Sequence, residues 1–257
     1  MRRFTGTRGA GLARLPGFDQ STAVPPIAPE LRNGQYVDLV PARLMRARSS
    51  SVQRLLSVSD WLARRKSDGR FLACRIADGR RRQWHSLLRA DALRHANEIR
   101  ALARAASRSH ATGSANSRTL VEFKPDGFTR EFGVDYAAST GLIPVAEPSR
   151  LVFAGFDCFE RALWLSPQAA LAWRRMREAA VRDEVMLHAI SGFRSRGYQV
   201  GIFQRKQARG QSLAEILAVN AAPGFSEHHG GNALDIGTPG EPPAEESFES
   251  TPAFAWL

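Results

Sequence analysis

Between Leu88 and Ala106 the apolar positions Leu88, Ala92, Ala96, Ile99, Leu102, Ala103 and Ala106 recur at helical spacing and share one face. Arg89, Arg94, Arg100, Arg104 and Arg108 fall mostly off that stripe. Later in the chain the runs shorten. SRLVFAG and FERALWLS read as strands around turn residues Gly155 to Cys158, and VMLHAIS, Val185 to Ser191, reads as a buried strand. Between them Ser166-Pro167 predicts a helix start, followed by Ala169, Ala172, Trp173, Met176 and Ala180 on an amphipathic face. Ser212 and Glu215 form a capping-box pattern before Leu213, Ile216 and Leu217, and Pro223-Gly224 ends that helix. NALDIG is short and apolar enough for a core strand. Strands alternating with helices in this way predict an α+β domain.

The first 34 residues are rich in Gly, Pro and Arg and read as mostly irregular. RSHATGSANSR, Arg108 to Arg118, reads as a polar linker, which sets a domain boundary between residues 117 and 118. Charge supports reading the two parts separately. Residues 1–117 hold 22 Lys and Arg against 8 Asp and Glu, whereas residues 118–257 hold 14 against 17. The arginine-bearing helix could meet nucleic acid or another acidic surface. No aromatic interleaving or binding motif accompanies the charge, so a solvated face is the favoured reading and nucleic acid the disfavoured partner.

With 43% apolar residues the chain can bury a sizeable core, and no run approaches the ~18 apolar residues of a membrane span. The basic N-terminus has no apolar segment behind it, so no export signal is visible. Cys74 and Cys158 suggest two buried thiols rather than a disulfide framework or a cysteine zinc site.

The densest chemistry lies in SEHHGGNALDI, Ser226 to Ile236. Imidazole nitrogen and carboxylate oxygen are both good zinc ligands. Gly230, Gly231 and Asn232 argue against a helix, so the expected arrangement is a histidine on a glycine loop and Asp235 on the strand that follows. Spacing alone leaves open which histidine takes part, and paired loop histidines are more often surface residues than ligands.

Ser226-x-His228-x-x-Gly231-x-Ala233-x-Asp235 resembles the S-x-H-x-x-G-x-A-x-D signature of VanY-type D-alanyl-D-alanine carboxypeptidases, with every fixed position filled. Ser191-Gly192-Phe193-Arg194-Ser195 followed by Gln199 resembles that family's upstream S-G-[YF]-R-S-x-x-x-Q element. The resemblance covers roughly Leu163 to Leu257, more loosely from Arg118, and does not reach residues 1–117. It implies the D-Ala-D-Ala metallopeptidase/hedgehog type of fold, a small mixed or antiparallel sheet flanked by helices, here preceded by an Arg-rich, partly helical region. It further implies Zn2+ held by His228 and Asp235, with His229 a neighbouring loop residue. Arg194 would stabilise charge on the scissile carbonyl oxygen, and Gln199 and Ser226 would hydrogen-bond the peptide.

A hydrolytic zinc site normally has three protein ligands and a general base. In the family the remaining parts come from a later element resembling E-x-x-H, whereas this sequence has no histidine after His229. Thr251-Pro252 predicts a helix start with only six residues beyond the cap. The expectation is a shortened zinc carboxypeptidase acting on peptidoglycan stem peptides, with the cell envelope implied by that substrate. The alternatives are a related peptidoglycan endopeptidase, a non-catalytic cell-wall-binding protein, and a nucleic-acid-binding protein acting through residues 1–117.

Overall fold

A computed structural model describes residues 29–47, 49–78, 81–112, 119–121 and 134–257. Its main sheet has seven strands: β1 (Glu30–Asn33), β2 (Val37–Pro41), β3 (Ser59–Arg65), β4 (Phe71–Asp78), β5 (Arg81–Ser86), β6 (Arg150–Phe156) and β7 (Ala162–Leu165). They lie in the order β5-β4-β3-β2-β1-β6-β7, and every pairing is antiparallel. A separate ribbon pairs β8 (His188–Ser191) with β9 (Asp235–Gly237).

The fold is α+β, as the alternation predicts, but five of the seven main strands come from residues 30–86. The expected small sheet is therefore a large one. Residues 1–34 are also not irregular throughout, because Glu30–Asn33 pairs with both β2 and β6. Residues 1–28 lie outside the described residues. So do 113–118, on which the expected domain boundary falls, while Arg108–Thr112 of the expected linker are helical. The β1–β6 pairing joins strands from both sides of that boundary.

Both faces of the sheet are covered, which is why β2 is buried throughout. Period-two alternation sends Val40 and Leu62 to one face with Leu31, Leu151 and Trp164, and Val37, Leu39 and Ala63 to the other with Leu72. Helix α1 (Ser50–Val58), capped by the Ser49 hydroxyl, lays Leu55 and Leu56 on the first face. Helices α2 (Arg89–Arg94) and α3 (Ala96–Thr112) cover the second through Ala92, Ile99, Leu102 and Ala103. The apolar stripe therefore packs as predicted, though not on one continuous helix. The break falls at His95. Just beyond it Glu98 accepts the Tyr36 and Val37 amides at 2.9 and 3.3 Å, which ties α3 to the β1–β2 turn.

Helix α4 (Val134–Thr140) precedes β6. Helix α5 (Pro167–Arg182) starts at the predicted Ser166 cap and packs Trp173 and Ala180 with Leu163, Leu187 and Ala189. Helix α6 (Arg196–Gln207) leads to α7 (Leu213–Val219), where the capping box of Ser212 and Glu215 is formed in both directions. The last helix, α8 (Pro252–Trp256), is capped by Thr251 and buries Ala253 in the α5 cluster. No described helix is long and apolar enough to cross a membrane.

Candidate functional site

The β8–β9 ribbon and the loops at its ends bring His228 and Asp235 together with Arg194 beside them, while Gln199 lies on α6 against Ala221. Ser191 ends β8 opposite Asp235, which opens β9. His228 sits in a single 3-10 turn, Glu227–Gly230, so the loop preceding Asp235 is a tight helical turn and not an open glycine loop. Gly231 ends that turn at φ 71°, a left-handed conformation costly for side chains with a Cβ. A Cβ there would also lie 2.6 Å from Leu151 Cδ2 and 3.3 Å from the Ser166 amide. Gly231 O in turn accepts the Ser166 N–H at 2.8 Å, and the Ser166 hydroxyl donates to Asn232 Oδ1 at 2.6 Å. The cap of α5 thus fixes the loop from outside.

The two histidines are held in opposite ways. His229 is fully buried, with Nδ1 2.5 Å from Arg194 O and Nε2 3.0 Å from the Gly224 amide. A carbonyl only accepts and an amide only donates, so the ring is neutral with its proton on Nδ1. Burial pushes its pKa down to about 4, against the raising effect of the Arg194 bond. Neither nitrogen is left for a ligand. His228 places Nδ1 2.7 Å from Gly192 O and Nε2 3.4 Å from Asp235 Oδ1.

Two states satisfy His228. As an imidazolium it donates at both nitrogens. As a neutral ring it donates from Nδ1, leaving a lone pair that faces the Asp235 carboxylate across 3.4 Å with room for a cation or a water hydrogen between them. Two donors about 2.0–2.1 Å from one tetrahedral zinc stand about 3.3–3.4 Å apart, so the pair fits that ion. The Nδ1–H bond to a backbone carbonyl is also the usual outer support of a metal-bound histidine. Asp235 is ionised: the His228 bond lowers its pKa, burial opposes this, and the charges of His228 and Arg194 add to the lowering. Among the described residues no group of three or more His, Cys, Asp or Glu is arranged to hold a metal.

Arg194 is half-buried beside this pair, and its guanidinium donates to Ser191 Oγ at 3.2 Å. Its backbone is held on both sides, since its N–H reaches His228 O at 3.2 Å and its carbonyl meets His229. Gln199 is almost wholly buried on α6; its Nε2 donates to Ala221 O at 3.0 Å and its Oε1 has no partner among the described residues. Ser226 is buried at the head of the 3-10 turn, where its hydroxyl makes no capping bond.

Reading by sequence missed the group behind the loop. Glu147 is buried, and its Oε1 accepts the Arg196 amide at 2.6 Å while Oε2 accepts Lys66 Nζ and Asn33 Nδ2, each at 2.7 Å. The one available signal was a lone carboxylate in the otherwise uncharged stretch GLIPVAEPS.

The fold is α+β, and its site pairs a buried histidine with a partly exposed carboxylate beside an arginine. Residues 162–257 match the family model of VanY, D-alanyl-D-alanine carboxypeptidase, and this part of the chain is similar to VanY-type peptidases. No curated protein matches the chain. Among solved structures, the LdcB LD-carboxypeptidase is 32% identical over 43% of this chain and 53% of its own, with a TM-score of 0.39. VanYB in complex with D-alanine-D-alanine is 26% identical over 37% of this chain and 54% of its own, TM-score 0.29. A D,D-pentapeptidase VanY in complex with Zn(II) is also 26% identical, over 37% and 55%, TM-score 0.29. The chain thus spans about half the length of the solved structures it matches.

Proposed function

We propose that the protein is a zinc-dependent carboxypeptidase that removes the terminal D-alanine from peptidoglycan stem peptides. The observation that carries this reading is the His228–Asp235 pair, 3.4 Å apart inside the segment similar to VanY-type peptidases, with the far nitrogen of His228 anchored on Gly192 O. His228 and Asp235 would hold the ion. When bound, zinc supplies a Lewis acid for the scissile carbonyl and for water.

The remaining work falls to this chain's own residues. The Arg194 guanidinium offers fixed donors where negative charge grows on the carbonyl oxygen as water adds. Because the charge is absent from the ground state, such donors act mainly on kcat. Ser191 Oγ and the two backbone contacts of Arg194 keep the side chain from drifting. The Ser226 hydroxyl, free of capping duty, would bond the peptide. Gln199, closed to solvent on α6, would support the peptide site from behind through its Nε2 bond to Ala221 O. Such a substrate puts the site of action in the cell envelope.

The test incubates the full chain, with and without added zinc, with a stem pentapeptide ending in D-Ala-D-Ala and follows released D-alanine by mass spectrometry. Release that a chelator stops and zinc restores is expected. Peptide binding without release would leave a non-catalytic wall-binding protein, and cleavage inside the stem would leave an endopeptidase.

A further inference from the structure

We infer that Lys66 and Asn33, both outside the matched segment, are positioning residues for the site: through the Glu147 carboxylate they fix the start of α6 and with it the backbone of Arg194. The inference rests on the role proposed above for Arg194.

The chain of contacts is short. Arg196 is the first residue of α6, and its amide, which has no partner within the helix, donates to Glu147 Oε1. A carboxylate suits that position because the first turn presents unpaired N–H groups and a partial positive charge. Arg194 lies two residues earlier, so the segment 194–196 is pinned by His228 O, by His229 Nδ1 and by Glu147. Two of those anchors belong to the loop bearing the candidate ligand. Glu147 is the third, and it takes its own orientation from the N-terminal sheet.

Lys66 follows β3 and has a fully buried side chain that divides its donors between Glu147 Oε2 and Gly34 O at 2.6 Å. Asn33 ends β1 and divides its amide between Glu147 Oε2 and Pro148 O at 3.0 Å. A buried ammonium facing a buried carboxylate holds its geometry tightly, because either charge alone would be stranded in a poor solvent. The turn bearing Lys66 also packs directly on α6. A Cβ on Gly197 would lie 3.1 Å from Lys66 Cβ, and one on Gly201 would lie 1.9 Å from Ser67 O. Two glycines one helical turn apart therefore let the turn at Lys66 reach Glu147. The strands that sequence reading set apart from the enzyme thus reach its arginine.

Two double variants separate positioning from mere support. Lys66→Met/Glu147→Leu removes the ion pair and the acceptor for the Arg196 amide. Lys66→Met/Glu147→Gln removes the charges and keeps an acceptor. Residue-resolved hydrogen exchange is read at Arg194 and Arg196, with Leu39 and Leu62 as sheet references, alongside kcat and KM for D-alanine release. With leucine, exchange at 194 and 196 should rise about tenfold or more with the references unchanged, and kcat should fall about tenfold with KM nearly constant. Glutamine should restore both. Should the leucine form not fold, Asn33→Leu removes one Glu147 donor and should raise exchange at Arg196 about threefold. Unchanged exchange at Arg194 and Arg196, or equal effects of leucine and glutamine, would overturn the inference. Where the wild-type chain releases no D-alanine, the proposed function fails while the exchange data still decide this point.

Discussion

His228 and His229 are neighbours in sequence and opposites in attachment: His229 commits both ring nitrogens to backbone groups, whereas His228 commits one and turns the other to Asp235. Their substitutions should therefore separate two readouts. His228→Ala should abolish measurable zinc binding by calorimetry and, since it strands only the Gly192 carbonyl, lower the stability of the metal-free protein less than His229→Ala does. His229→Ala strands the Gly224 amide and the Arg194 carbonyl and opens a cavity, at a cost of about 2–5 kcal/mol in denaturant unfolding. Equal losses of zinc affinity would show that the register of the pair is misassigned.

Arg194 should report on chemistry more than on folding. Its side chain is half-buried and, among the described residues, bonds Ser191 Oγ, while its backbone anchors survive substitution. Arg194→Ala should lower kcat about a hundredfold or more, as removal of an oxyanion donor does, with the thermal midpoint shifted by only a few degrees. A variant that unfolds, or one with normal turnover, removes Arg194 from the mechanism.

Much of the site is legible in sequence because its parts are local. The spacing from Ser226 to Asp235 fits one tight turn and one strand, and the segment from Ser191 to Gln199 fits one strand end and one helix. The helix caps at Ser166, Ser212 and Thr251 are local too, and each forms. Strands β1 to β5 are harder to read, because charged residues interrupt their alternation. Asp38 is buried in the middle of β2, and only its cross-strand partner Arg64, bonded at 2.7 Å, makes that position tolerable. Arg75 on β4 is matched to Asp60 on β3 in the same way. Glu147 and Lys66 are 81 residues apart, so neither predicts the other. Compensation across the sheet carries no sequence period.

The close approach of α6 to the turn at Ser67 gives a steric prediction. Gly201→Ala places a methyl group 1.9 Å from a backbone oxygen, and backbone cannot swing aside as a side chain can. Destabilisation of about 1–3 kcal/mol is expected from such overpacking. Gly197→Ala meets Lys66 Cβ at 3.1 Å and otherwise makes only ordinary contacts at 3.9 and 4.0 Å, and should cost clearly less. Chemical denaturation of the two variants side by side checks the order; the reverse order would mean that the turn does not seat on α6 as described.

The Lys66–Glu147 pair carries a pH dependence with a definite sign. Burial raises the Glu147 pKa, but the Lys66 charge, the Lys66 and Asn33 bonds and the Arg196 amide together outweigh it, so the net shift is downward from the ordinary value of 4.5. A carboxylate held below its unfolded value gives stability that is complete above about 4.5 and is lost as pH falls through the folded value. Replacing both members with apolar residues removes that dependence and need not cost stability at neutral pH, since buried pairs and apolar substitutes of similar volume often balance. Lys66→Met alone is different, because it leaves the carboxylate buried and unpaired, a loss of about 3–5 kcal/mol. Thermal melts of wild type and of the Lys66→Met/Glu147→Leu variant, taken from pH 7 down to pH 3, test this. The gap between the two should stay constant to about pH 4.5 and then move in favour of the double variant. A gap that stays constant to pH 3 would mean that Glu147 is not the ionised partner its contacts describe.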